Sequence, residues 1–128
     1  MIKEQLTENF SIKEWKCHDG TNVPYNLVEN VQYCADNLQA LRDKVGKPIS
    51  VISGYRNPSY NKKINGATRS YHMTGLAADI KVTGMKPAEV ASIIEDLITS
   101  GKMKQGGLGT YKKFTHYDCR GTKARWNG

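Results

Sequence analysis

Few residues in this chain have the types and spacing that chemistry requires. The sequence holds three histidines in 128 residues. One of them, His72, sits in a polar stretch. Asp79 follows seven residues later, inside the otherwise apolar run LAADIKV at 76–82. A carboxylate in such a run needs a partner, because burying an unpaired charge costs on the order of several kcal/mol. His116 lies in a similar setting, the string FTHYD at 114–118. Two imidazoles and one carboxylate form a common ligand set for catalytic zinc, which takes three protein ligands and keeps a fourth position for water. A structural explanation, a histidine bonded to a core carboxylate, is the alternative, and the pair His72 and Asp79 alone leaves both open. Around these residues lie Ser53, Arg56, Asn57, Asn61, Ser70 and Asp118. All are polar and sit at strand ends or in a long loop, where sites are usually built.

The elements that must position them can be read from periodicity. Ser11 followed by Glu14 is a capping box for a short first helix that draws on Phe10, Ile12 and Trp15. Between Pro24 and about Val45, Leu27, Val31, Cys34, Leu38, Leu41 and Val45 recur at helical steps, and Gly46 and Pro48 end the run. Residues 49–55 (ISVISGY) are short, β-branched and closed by glycine, which predicts a buried strand. Residues 56–71 carry Asn57-Pro58 and Asn65-Gly66 with no apolar period, which predicts a long loop. Residues 76–82 read as a second strand, and Pro87 opens a helix that runs to Gly101 with Val90, Ile93, Ile94, Leu97 and Ile98 on its apolar face. Two further strands, 106–111 and 114–118, are joined by Lys112-Lys113.

Composition sets wider bounds. With 128 residues and 38% apolar content the chain fits one domain, and its aromatic residues exclude disorder. Nineteen Lys and Arg against 12 Asp and Glu give a net charge of +7, which suits a polyanionic partner such as nucleic acid, an anionic membrane face or a bacterial cell wall. No recognition helix or RNA-binding signature accompanies the charge, so a nucleic-acid partner is not expected. No apolar run reaches the about 18 residues a membrane span needs, and MIKEQLTENF lacks the apolar core of a secretion signal. The expectation is a chain made in the cytoplasm. Cys17, Cys34 and Cys119 are too few for a disulfide framework and are expected to be reduced, a Cys17–Cys34 bridge being the alternative. His18, beside Cys17, fits no standard zinc knuckle with Cys34 and reads as a turn residue.

Three strings in order, SGYR at 53–56, SYHMTGLAAD at 70–79 and FTHYD at 114–118, resemble the signature of zinc D-Ala-D-Ala carboxypeptidases. That group is related to lysostaphin-type peptidases and the hedgehog N-terminal domain, and the resemblance spans residues 10–126. It implies that His72, Asp79 and His116 bind one zinc ion. It further implies that Arg56 binds the substrate carboxylate or the oxyanion, for which a planar, permanently charged guanidinium is suited, and that Ser70 lies beside the substrate. Many relatives place a glutamate three residues before the last ligand. Here that position is Lys113. Asp118 is the replacement candidate for general base, since residues two apart on a strand share a face; its alternative role is to orient a ligand or pair with Arg120.

The resulting expectation is a single α+β domain over residues 1–128, with a small antiparallel sheet carrying the zinc site and helices packed on its other face. Its activity would be zinc-dependent hydrolysis of peptide bonds at D-amino acids in bacterial peptidoglycan, as a carboxypeptidase or a cross-link endopeptidase. A monomer held to the anionic wall by its basic surface, and released to it by phage lysis, completes the expectation. A zinc-containing wall-peptide-binding module without activity is the alternative.

Overall fold

Helical spacing in the sequence becomes packing in the computed structural model, which describes residues 4–128. The stretch read for a secretion signal begins with residues 1–3, which lie outside the described residues. Helix α1 (Val28–Val45) buries Val31, Cys34, Ala35, Leu38 and Leu41 and stops at Gly46, whose N–H donates to the Arg42 carbonyl. Helix α3 (Pro87–Thr99) starts where the Glu89 carboxylate accepts from the Lys86 N–H at 2.9 Å, and it buries Val90, Ala91, Ile94 and Leu97. Between them in the chain come strand β1 (Ile49–Ser53), the short helix α2 (Pro58–Lys63) and strand β2 (Ala77–Val82); β3 (Gly107–Thr110), β4 (Thr115–Asp118) and β5 (Ala124–Asn127) follow α3. The Ser11 capping box forms, with Ser11 N–H donating to Glu14 at 2.7 Å, and starts a 3₁₀ turn at Ile12–Trp15. No helix among the described residues is long and apolar enough to cross a membrane.

The five strands form one sheet in the order β1-β2-β4-β3-β5. Alternation along β2 and β4 gives the sheet two unlike faces. Ala78, Ile80, Val82 and Tyr117 pack toward the helices in the apolar core. Asp79, His116 and Asp118 project from the other face, with Asp79 directly paired to His116 in the register of β2 and β4. An irregularity between Val51 and Ser53 in β1 brings Ser53 opposite Asp79; such bulges re-aim side chains next to sites.

The fold is α+β, as expected, with two differences. The sheet is mixed rather than antiparallel, because β5 runs parallel to β3 at its edge. The sequence ARWN of β5 is too short and polar to show a period. The expected loop 56–71 contains α2, started by Asn57, whose Oδ1 accepts from the Tyr60 N–H at 2.8 Å, and by Pro58 in the first turn. Asn-Pro is therefore a helix start here, not a loop mark. All three cysteines are free and buried, as expected, and the alternative Cys17–Cys34 bridge is absent.

Strand β3 presents Gly107 and Gly109 on the site face, and a methyl group at Gly109 would collide with the Trp126 indole of β5. A Gly109→Ala variant should lose about 1–3 kcal/mol of stability through overpacking. Urea denaturation checks this, and an unchanged midpoint would contradict the packing of β5 on β3.

Candidate metal centre

His72 is delivered by a 3₁₀ turn, Tyr71–Thr74, and Asp79 by β2. Ser70 caps the turn, its hydroxyl accepting from the His72 N–H at 3.2 Å. Gly75 ends it in the left-handed region (φ 80), and a methyl group there would meet Val31 of α1 at 2.9 Å. Only glycine serves both demands, so the string HMTG fixes how the turn enters β2. His116 arrives from β4, beside Asp79.

One nitrogen of each imidazole is tied off by the fold. His72 Nδ1 lies 2.7 Å from the Gly54 carbonyl, which can only accept, so Nδ1 carries the proton and the Nε2 lone pair faces Asp79 Oδ1 at 3.3 Å. His116 Nε2 lies 2.7 Å from Asp118 Oδ2, and its Nδ1 faces Asp79 Oδ1 at 3.0 Å. The ligand atoms of His72, Asp79 and His116 all lie within 4.8 Å of one another, and all three residues are buried. Metal-binding histidines characteristically donate their second N–H to a carbonyl or carboxylate in this way. The donor set thus fits a divalent ion such as zinc.

Electrostatics agree with the geometry. Burial pulls His72 below its ordinary pKa, so the ring is neutral and able to ligate. Burial also opposes charge on His116, but the hydrogen bonds to Asp118 and Asp79 outweigh it and hold the ring above its ordinary value. Burial would raise Asp79, yet its hydrogen bond with His116 keeps it well below the usual carboxylate range. Two carboxylates thus converge on one imidazole, a place that favours positive charge, which a cation between Nδ1 and Asp79 would supply.

Arg56 and Asp118 complete the surroundings. Arg56 Nη2 donates to Asp79 Oδ2 at 3.1 Å and its Nε to Ser53 Oγ at 3.2 Å; Asn61 accepts from Nη1 at a long 3.5 Å. The Asp118 side chain is fully buried. It accepts from Gly107 N–H at 2.9 Å and from Arg120 Nε and Nη2 at 2.8 and 2.9 Å, besides His116. Arg120 in turn lies over the rings of Tyr71 (4.4 Å) and Trp126 (5.5 Å). The cleft in front has a volume of about 440 Å³, and Asp79 is the one carboxylate lining it among the described residues. Lys113, at the position where many relatives carry glutamate, lines a different cavity with Ile80 and Met85.

The peptidase M15 model matches residues 5–118, a span that holds all three ligand candidates. The chain belongs to the peptidase M15 family. Two similar proteins are the peptidoglycan L,D-endopeptidase MepK of Escherichia coli K12, 30% identical over 100 residues (71% of this chain, 51% of the relative), and the probable MepK of Haemophilus influenzae, 31% identical over 115 residues (84% and 58%). The chain spans about half the length of these curated relatives. The zinc D-Ala-D-Ala carboxypeptidase of Streptomyces albus G is 48% identical over 44 residues, 34% of this chain and 17% of that protein.

For this M15 chain, then, the structure gathers Arg56, Ser70, His72, Asp79, His116 and Asp118 around one point. Sequence reasoning missed Tyr71, Tyr111 and Trp126 in the cleft wall, and named Arg120 only as a partner for Asp118. The pairing of Trp126 with Tyr111 (Nε1 to Oη, 2.9 Å) depends on β5, which had no legible period. The two roles open to Asp118 predict different results. If it orients His116, Asp118→Asn should weaken metal affinity about 10- to 100-fold, measured by chelator competition on protein with native circular dichroism. Unchanged affinity with reduced turnover would make it the base instead.

Proposed function

We propose that this chain is a zinc-dependent peptidase acting on peptide bonds of bacterial peptidoglycan. One observation carries the reading: the ring nitrogens that face Asp79 are those left free by the Gly54 carbonyl and the Asp118 carboxylate. The names of the M15 relatives supply the substrate class.

When bound, zinc polarises a carbonyl and makes water nucleophilic near neutral pH. His72 Nε2, His116 Nδ1 and the Asp79 carboxylate hold it. Arg56, braced by Ser53 and Asp79, keeps donors at the cleft for the oxygen on which negative charge develops. Asp118 holds the His116 ring in its ligating orientation and keeps its own oxygens occupied by Arg120 and Gly107. Ser70 sets the turn that carries His72. The proposal extends to residues 1–128 acting as one domain and as a monomer that reaches the wall on lysis of the cell by phage, with the +7 charge holding it to the anionic wall.

Incubation of purified muropeptides with the zinc-loaded chain, followed by mass spectrometry, tests this. Loss of a single alanine assigns carboxypeptidase action, and cleaved cross-linked dimers assign endopeptidase action. A chelator and His72→Ala should each abolish the product. Unchanged muropeptides would overturn hydrolysis and favour a zinc-containing binding module.

A further inference from the structure

The cleft carries more positive charge than binding a metal and an oxyanion requires. Three guanidiniums line it, those of Arg56, Arg69 and Arg120, against the single carboxylate of Asp79. Two are already matched: Arg56 pairs with Asp79, and Arg120 with the buried Asp118. Arg69 is exposed and has no ion-pair or hydrogen-bond partner among the described residues. It follows α2 in the segment that also brings exposed Ile64 to the cleft.

The sequence around Arg69 is basic over a long stretch. From residue 44 to residue 88 the sequence has eight Lys and Arg and one acidic residue, and that residue is Asp79 itself. Arg69 therefore has no acidic neighbour in its own segment. The same cleft is also lined by aromatic rings: Tyr111 and Phe114 stack at 4.4 Å, and Trp126 donates to Tyr111. A ligand in this cleft meets an uncompensated cation and aromatic rings. A divalent ion held by Asp79 would withdraw the one lining carboxylate further from Arg56 and raise the local positive charge.

We infer that Arg69 is a specificity-determining residue that reads a free side-chain carboxylate of the substrate peptide, so that the acid form is selected over its carboxamide. This rests on the peptidase reading above and deepens it by naming the substrate class: peptides with a second carboxylate near the scissile bond. The guanidinium offers paired donors to a carboxylate oxygen pair, whereas a carboxamide offers one acceptor and no charge. Since Arg69 is solvent-exposed, the discrimination is modest and screened by salt.

Calorimetric titration of the zinc-incubated chain with a synthetic stem peptide, in acid form and with its side-chain carboxyls amidated, tests it; hydrolysis of both is followed in parallel. The acid form should bind about fivefold tighter, and raising the salt should shrink the ratio. Arg69→Gln should bring the two forms within about twofold, while Lys102→Gln, which removes an equal charge from a separate hollow lined by Ala40, Asp43 and Leu97, should leave the ratio intact. Equal binding of both forms, or an unaltered ratio in Arg69→Gln, would overturn the inference. Selective binding without hydrolysis of either peptide would uphold it and overturn the peptidase reading instead.

Discussion

The fully buried carboxylate of Asp118 is the constraint on which the site depends. An isolated charge at that depth would be untenable, so the chain surrounds it with five groups: the Gly107 N–H, the backbone N–H and two guanidinium nitrogens of Arg120, and His116 Nε2. Each tie has a structural consequence. The bond to His116 commits that nitrogen and turns Nδ1 toward Asp79. The bond to Arg120 draws the end of β4 against Tyr71, beside the turn bearing His72, and against Trp126 of β5. The bond to Gly107 requires glycine in β3, where a side chain would strike the carboxylate. Removal of either charged partner leaves the other buried and unmatched, so these residues act as a unit.

Asp79 has the complementary role on the neighbouring strand. It is buried and held ionised by His116 and Arg56. The chain thus gathers two carboxylates, two imidazoles and two guanidiniums on one sheet face, while Ala78, Ile80 and Tyr117 on the reverse face of the same strands lie in the apolar core. Period-two alternation makes this possible: adjacent residues of one strand can serve the core and the site without competing. The helices supply the apolar side, and α2, Ser70 and Gly75 set the approach of His72 to the strands.

Much of this was legible in the sequence. The helices at 28–45 and 87–99 followed from spacing, and Asp79 announced itself as a charge in an apolar strand. The shared face of His116 and Asp118 followed from their separation by two. What was not legible depends on distant contacts. Asn57-Pro58 has the same composition whether it starts a helix or a loop, and only the fold around Cys17, Asp19 and Thr21, all within reach of the Asn57 amide, decides it. Strand β5 is defined by its parallel pairing with β3 rather than by its residues, and Trp126 and the mixed sheet came with it. Whether Asp118 serves as base or as orienter could not be told from its strand position, because that depends on Arg120 and Gly107 closing over its oxygens.

The central claim is that the fold presets both imidazoles for a cation, with His72 Nε2 and His116 Nδ1 facing Asp79. Long-range proton–nitrogen NMR of the histidine side chains, recorded before and after adding one equivalent of zinc, tests it most directly. The account predicts a proton on His72 Nδ1 and on His116 Nε2 throughout, with the zinc-induced nitrogen shifts confined to His72 Nε2 and His116 Nδ1. Zinc shifts at the opposite nitrogens, or at neither ring, would contradict it.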